Sequence, residues 1–282
     1  MSIIIEPLSS ALGAEVRGVD LRHDLSPEMV AQIVDAFSEH LVILFRDQEL
    51  TEEQQLHFAG YLGEIGRRSL PPVQWPEGRD HNPAIMLISN IREKGKLVGS
   101  LPDGELWFHH DMCYVEAPPK ATLLYAVEVP AQGGNTRFAN MYKAYDALSD
   151  AVKEKISGQK ALQIYDYKTT EKVDLEGDIS QIAHSLQPVA ITHPITKRKA
   201  LYVNPLITAR IEGLPTQESD ALLEELLGFT ENPEIIYEHR WRPGDLLMWD
   251  NLSSCHARTD FPSSERRLLK RCTLLGAPLS PD

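Results

Sequence analysis

The chain has 282 residues, 42% hydrophobic and 24% charged, which is enough apolar material for a sizeable buried core and too little charge for a disordered chain. A formal charge of −13 with no offsetting block of Lys or Arg repels nucleic acid and anionic membrane surfaces, so neither is an expected partner. Cys113, Cys255 and Cys272 are odd in number and far apart, the N-terminal segment lacks a signal peptide's basic and long apolar regions, and no stretch reaches membrane-span length, so the expected location is the reducing cytoplasm.

Short strands are expected over residues 3–6 and 14–19, and the nearly continuous apolar run 41–46 belongs in a sheet interior. Between them Ser26-Pro27 supplies an N-cap and a proline at the first helical position, opening an amphipathic helix to about His40. Thr51 and Gln54 form a capping box for a second helix that stops at Gly63. A long loop near 66–83, rich in Pro, Gly and charge, precedes a strand over 84–90. A second loop near 92–106 then delivers the chain into the aromatic and apolar run 107–114, which reads as a strand.

A strand over 122–127 follows, and Gly133-Gly134 turns the chain into another at 136–138. Asn140 caps a helix to Leu148, and Ser149 opens one that ends at Gly158. Beyond a strand at 162–167, the polar, acidic segment 168–187 has no pattern and reads as a candidate lid. Strands at 189–192 and 200–203 flank a turn, Thr216 caps a helix ending at Gly228, and strands at 235–241, 245–249, 255–257 and 268–275 complete the chain. Strands outnumber helices and cluster late. The expectation is one domain over 1–282, mainly β with flanking helices, as a double-stranded β-helix (jelly-roll) barrel.

Alternation along the strand expected over 107–114 sets His109 and Asp111 on one face and His110 on the other. An imidazole beside a carboxylate suits a divalent first-row metal, and one distant histidine would complete a two-His, one-carboxylate triad with three coordination positions open. His256 begins a late strand and is the best-placed candidate, whereas His193 precedes a proline at a turn. Beyond it, Arg267 and Arg271 share a strand face with Leu269. Two guanidiniums in one cavity bind anions, unless they protect a surface strand edge.

His109-x-Asp111, Gly133-Gly-Asn-Thr136, Trp249-Asp250-Asn251 followed by His256, and Arg267 with Arg271 together resemble the iron(II)/2-oxoglutarate-dependent dioxygenases of the taurine dioxygenase and 2,4-dichlorophenoxyacetate dioxygenase group. The likeness extends to Gly13-Ala-Glu-Val-x-Gly18-Val-Asp20, Phe45-Arg-Asp-Gln48 and Tyr202-Val-Asn204. It implies that His109, Asp111 and His256 bind Fe(2+) and that Arg267 and Thr136 hold the distal carboxylate of 2-oxoglutarate. O2 is then used to hydroxylate a primary substrate with release of succinate and CO2, and Arg271 pairs with the anionic group of that substrate. The intact carboxylate of Asp111 favours hydroxylation over halogenation. The stretch 62–68 lacks the histidine expected for sulfonate binding, and Glu105 stands where the taurine enzyme has an amide, so the reaction carries over and taurine does not. The expected substrate is a small organic anion. Asn90, Arg92 and Tyr114 are candidate pocket residues, and self-association stays open. Two alternatives are a zinc-dependent hydrolase and a non-catalytic barrel that binds a small molecule.

Overall fold

The computed structural model describes residues 3–67, 82–101, 103–166, 173–175 and 177–280. The chain opens with β1 (Ile4–Pro7), β2 (Ala14–Arg17), α1 (Pro27–His40), β3 (Val42–Phe45) and α2 (Glu52–Gly60). Then come β4 (Met86–Ser89), a small hairpin of β5 (Arg92–Glu93) and β6 (Lys96–Leu97), β7 (Leu106–His109), β8 (Ala121–Glu128) and β9 (Thr136–Asn140). Next are α3 (Met141–Asp146), α4 (Asp150–Ile156), β10 (Lys160–Ile164), β11 (His184–Pro188), β12 (Ala190–Thr192), β13 (Lys199–Leu201) and β14 (Thr208–Ile211). The last elements are α5 (Thr216–Thr230), β15 (Ile236–His239), β16 (Leu246–Asp250), β17 (Ser254–Arg258) and β18 (Leu268–Leu274).

Two sheets organise the fold. One has seven strands in the order β1-β2-β3-β16-β8-β18-β4, the other four in the order β15-β9-β17-β7. Alternation along the central strands of the larger sheet builds two cores. Leu124, Leu247, Trp249 and Leu269 pack with Leu106, Phe138 and Ala257 of the smaller sheet. Their neighbours Leu123, Tyr125, Leu246, Met248 and Cys272 pack with Ile33 and Ala36 of α1 and Phe58 of α2. Burial on both faces is why these strands read as unbroken apolar runs. The molecule is thus mainly β with helices against one sheet, and among the described residues the sheets are not hydrogen-bonded into a closed barrel. No helix among the described residues is long and apolar enough to cross a membrane.

Local signals hold where a side chain closes its own turn. Ser26 accepts from the Met29 amide, both halves of the Thr51/Gln54 box are formed, and Asn140 and Ser149 cap α3 and α4. Four expectations need correction. Pro215, not Thr216, is the N-cap of α5, with no side-chain cap, and the helix runs through Gly228 to Thr230 because Leu222 and Leu226 seat it in the core. The strand expected over 107–114 ends at His109, where the chain turns with Met112 at φ 51°. The loop near 92–106 contains the β5–β6 hairpin, in which Arg92 is exposed. The segment 168–187 ends in a strand, β11, which pairs with β10 despite its polar sequence. Residues 68–81, 102, 167–172 and 176 lie outside the described residues, and with them most of the loop expected near 66–83 and part of the candidate lid.

Asp245, 1% exposed, ties three strand ends together. It accepts both carboxylate bonds from Arg46 Nη1 at 2.9 Å, a bond from the Arg242 amide at 2.9 Å, and a contact from His239 Nε2 at 3.0 Å. Removing one partner of a buried pair leaves the others uncompensated. Asp245→Ala is expected to lower stability by about 3 kcal/mol or more, read as a drop in the urea midpoint at unchanged slope.

Candidate active site

In the smaller sheet β17 lies antiparallel to β7, with His256 directly opposite His109 and their ring centroids 4.1 Å apart. The turn after β7 brings Asp111 beside both rings. One donor atom from each of the three buried residues falls within a group spanning 4.8 Å, and Asp111 Oδ1 lies 3.9 Å from His256 Nε2. His110 points the other way and is buried against Tyr202, ring centroids 4.3 Å apart. His193 is likewise elsewhere, held by Asp250 at 3.0 Å.

The surroundings prepare each donor. His109 Nδ1 lies 2.8 Å from the Trp107 carbonyl, so that nitrogen carries the proton and Nε2 keeps its lone pair. Burial lowers the pKa of both His109 and His256, which keeps them neutral. Burial by itself would raise Asp111, but the charge of Arg271, the neighbouring imidazoles of His256 and His109 and the Thr122 hydrogen bond outweigh it and hold the carboxyl at about 2. Asp111 Oδ2 accepts from the Thr122 hydroxyl at 2.7 Å, and that hydroxyl accepts from Asn251 Nδ2 at 2.9 Å. The other oxygen, Oδ1, lies toward the histidines and also meets Arg271 Nη2 at 3.1 Å. Two neutral imidazoles and one ionised carboxylate are a donor set for a divalent first-row metal.

Among the described residues, three arginines line the same chamber. Arg267 is 2% exposed, and among the described residues its Nε and Nη1 have no hydrogen-bond partner, while Nη2 reaches the Gly134 carbonyl at 3.5 Å. Burial, then the charge of Arg258, pulls its pKa down to about 9. A buried cation with idle donors costs several kcal/mol unless an anion joins it. Gly133 and Gly134, at φ 72° and 63°, make the turn beside it; a Cβ on Gly133 would lie 2.1 Å from the Asp260 carbonyl. Thr136 Oγ1 accepts from Trp241 Nε1 at 2.9 Å, which leaves the Thr136 proton free to point into the chamber. Arg258, pulled down to about 10 by burial, bonds to carbonyls of the segment before β7. Arg271 Nη2 lies 3.1 Å from Asp111 Oδ1, so the carboxylate is its partner here.

The remaining candidates are placed differently. Asn90 is not on the chamber wall; its amide donates to the Glu265 carbonyl at 2.7 Å and its oxygen accepts from the Arg267 amide at 2.9 Å, fixing the backbone that carries the guanidinium. Tyr114 lines a second cavity of about 330 Å³ adjoining the chamber, edge-on to Tyr165 at 5.1 Å.

Residues 4–273 match the family model described as taurine catabolism dioxygenase TauD, TfdA family. The chain belongs to that family. It is 33% identical to pentalenolactone F synthase of Streptomyces avermitilis over 291 residues, covering 96% of this chain and 94% of that protein. It is 32% identical to the alpha-ketoglutarate-dependent 2,4-dichlorophenoxyacetate dioxygenase of Cupriavidus pinatubonensis, covering 98% of each. The crystal structure of AAD-2 in complex with Mn(II) and N-oxalylglycine superposes with a TM-score of 0.80 at 31% identity, covering 100% of this chain and 99% of that one. The chain is therefore a 2-oxoglutarate-dependent dioxygenase, an oxidoreductase that needs a metal and O2.

Three features of this family member escaped the sequence reading. Arg258 had a legible signal, since it stands two positions beyond His256 on one strand and so shares its face. Trp241, in Arg240-Trp241-Arg242-Pro243, and Thr122 had none, because their partners come from other elements and turns. Thr122→Val keeps the shape and removes the hydroxyl. Outer partners of this kind are worth about 10–100-fold in metal affinity, and a weakening in that range is expected in Mn(II) titration with the circular dichroism spectrum unchanged.

Proposed function

We propose that the chain is a single-domain enzyme, folded as a double-stranded β-helix, in which His109, Asp111 and His256 hold iron(II) and Arg267 with Thr136 receives the distal carboxylate of 2-oxoglutarate. The observation that carries this reading is the buried Arg267 guanidinium with two idle N–H donors, in the chamber that holds the two-His, one-carboxylate group. The jelly-roll reading is supported by the two sheets that share one apolar core and by the fold match to AAD-2. Three buried free cysteines are consistent with a reducing cytoplasm.

Bound here, iron(II) and 2-oxoglutarate would supply oxidation by O2 with succinate and CO2 as co-products. The chain's own groups do the rest. Thr122 and Asn251 keep Asp111 facing the histidines, the Trp107 carbonyl keeps the His109 lone pair inward, and apolar neighbours such as Trp249 and Leu124 exclude water. The alternatives of a zinc-dependent hydrolase and a non-catalytic binding barrel would leave the idle guanidinium without a purpose.

The primary substrate in this reading is a small organic anion bearing a carboxylate, sulfonate or sulfate. Among the described residues, three arginines and one carboxylate line the chamber. Iron(II) and the 2-oxoglutarate dianion cancel, so an excess of positive charge remains for the substrate. Arg271 is the cation that also lines the larger cavity, where an organic body fits. The relative from Cupriavidus pinatubonensis acts on 2,4-dichlorophenoxyacetate, itself a carboxylate.

Anaerobic protein given Fe(II) and 2-oxoglutarate is expected to show a weak visible charge-transfer band, absent in His256→Ala. Arg267→Ala should raise half-saturation by 2-oxoglutarate by a margin worth roughly 2–5 kcal/mol, with Arg267→Lys recovering part; unchanged saturation in both would make Arg267 structural. Arg271→Gln should weaken substrate by about 2 kcal/mol or more. Because Arg271 touches Asp111, metal affinity is expected to shift as well, and a preference for neutral substrates would sink its assignment.

A further inference from the structure

Among the described residues, the chamber with the histidines and the outer cavity of about 330 Å³ meet at two side chains, Leu101 and Arg271, which line both. Arg271 has a role in the reading above, whereas Leu101 has none. Its placement is nevertheless enforced from both sides. Ser100 forms a parallel bridge to Ile88 of β4, its amide donates to the Leu87 carbonyl at 2.9 Å, and its carbonyl accepts from the Ser89 amide at 3.2 Å. Gly99 passes so close to β4 that a Cβ there would lie 2.5 Å from the Leu87 carbonyl. Leu101 itself sits at φ 52°, a left-handed conformation that costs a non-glycine residue roughly 1 kcal/mol.

Arg258 supplies the opposing hold. Its guanidinium spans the segment with Nη1 on the Leu101 carbonyl at 2.7 Å, Nη2 on the Asp103 and Gly104 carbonyls at 2.9 and 2.8 Å, and Nε on Gly104 at 3.1 Å. Arg258 is 8% exposed and stands on β17 two residues from His256. A buried guanidinium spent wholly on main-chain carbonyls fixes a backbone path with a fork geometry that lysine cannot reproduce. That path carries a strained residue whose side chain ends between the two cavities, and strain at such a place persists only when the surroundings over-determine it.

We propose that Leu101 is a specificity-determining residue and Arg258 the positioning residue that holds it: together with Arg271 they form the partition through which substrate reaches the metal chamber. The inference rests on the functional reading above and deepens it. A substrate with its anion on Arg271 and its body in the outer cavity passes its intervening carbon over Leu101. The partition therefore senses bulk at the carbon next to the anionic group, and substrates unbranched there are favoured over branched ones.

The probes are phenoxyacetate and the two enantiomers of 2-phenoxypropionate, which differ by one methyl at that carbon. Each is added to wild-type, Leu101→Ala, Arg258→Lys and Arg258→Ala proteins loaded with Fe(II) and 2-oxoglutarate, and binding is read from the change in the charge-transfer band. Turnover is read from succinate released above the substrate-free rate. Leu101→Ala is expected to raise the preference for the branched probes about tenfold or more, the scale of one methyl group in an apolar pocket. Arg258→Ala should move the preference the same way and Arg258→Lys part of the way.

A second measurement needs no substrate: hydrogen exchange of the peptide spanning 99–105 should be at least tenfold faster in Arg258→Ala, with Arg258→Lys between it and wild type. The proposal is overturned if that exchange is unchanged, or if Leu101→Ala leaves the ratio between probes as it was. Absence of the charge-transfer band in wild type would instead overturn the functional reading, and the exchange measurement would still report whether Arg258 holds the segment. Arg258→Ala that fails to fold leaves Leu101→Ala and Arg258→Lys to decide.

Discussion

Burying two guanidiniums and a carboxylate inside an apolar β core, with the partly buried Arg271 guanidinium beside them, is the constraint from which the rest of the arrangement follows. Each uncompensated buried ion costs several kcal/mol, a large share of the stability of a whole domain. The protein meets that cost in three different ways. Asp111 and Arg271 neutralise one another at 3.1 Å, with Thr122 on the second carboxylate oxygen. Arg258 is satisfied by main-chain carbonyls, which ties its charge to a loop. Arg267 is left with idle donors among the described residues, and its cost is met when a dicarboxylate arrives. A site that stays partly uncompensated until its ligand binds is selective for that ligand by the same energy.

Strand pairing then delivers the groups in register. β17 is the central element: it places His256 against His109 of β7 on one side and Arg258 against Thr136 of β9 on the other. A slip of one residue would turn both His256 and Arg258 to the opposite face. Burial of both faces of β17, with Phe138 and Leu106 paired to His256 and Arg258 and Cys255 and Ala257 buried on the other side, resists such a slip. The core is thus what aligns the chemistry.

Five histidines buried among the described residues show how far environment outweighs residue type. His109 and His256 share a chamber with a carboxylate, whereas His110 packs against Tyr202 with the rings tilted, His193 is bound to Asp250 and His239 to Asp245. Burial pushes His110 down to about 3, so it stays neutral as a core residue. His193 and His239 each serve a carboxylate that caps or begins a strand, a structural use of the same side chain.

Local chemistry was readable wherever a residue acts on its own neighbourhood. Ser26, Thr51, Asn140 and Ser149 cap the helices expected of them, and the apolar runs at β3, β8 and β16 are buried strands because both of their faces meet a core. The residue types at His109, Asp111, Arg267 and Arg271 were legible in the same way, but Asp111 reaches the histidines through the turn after β7 and not by alternation along one strand. The turn that ends β7 at His109 was not legible, nor was the strand β11 drawn from a polar sequence, because pairing with β10 overrides weak propensity. Asn90's grip on the Arg267 backbone, Trp241's bond to Thr136, the Thr122–Asn251 support of Asp111 and Arg258's hold on Leu101 join residues that are remote in the chain. Residue types and periodicity decide which groups a strand offers, and only the packing of sheets decides which of them meet, because a hydrogen bond between distant residues leaves no period in the sequence.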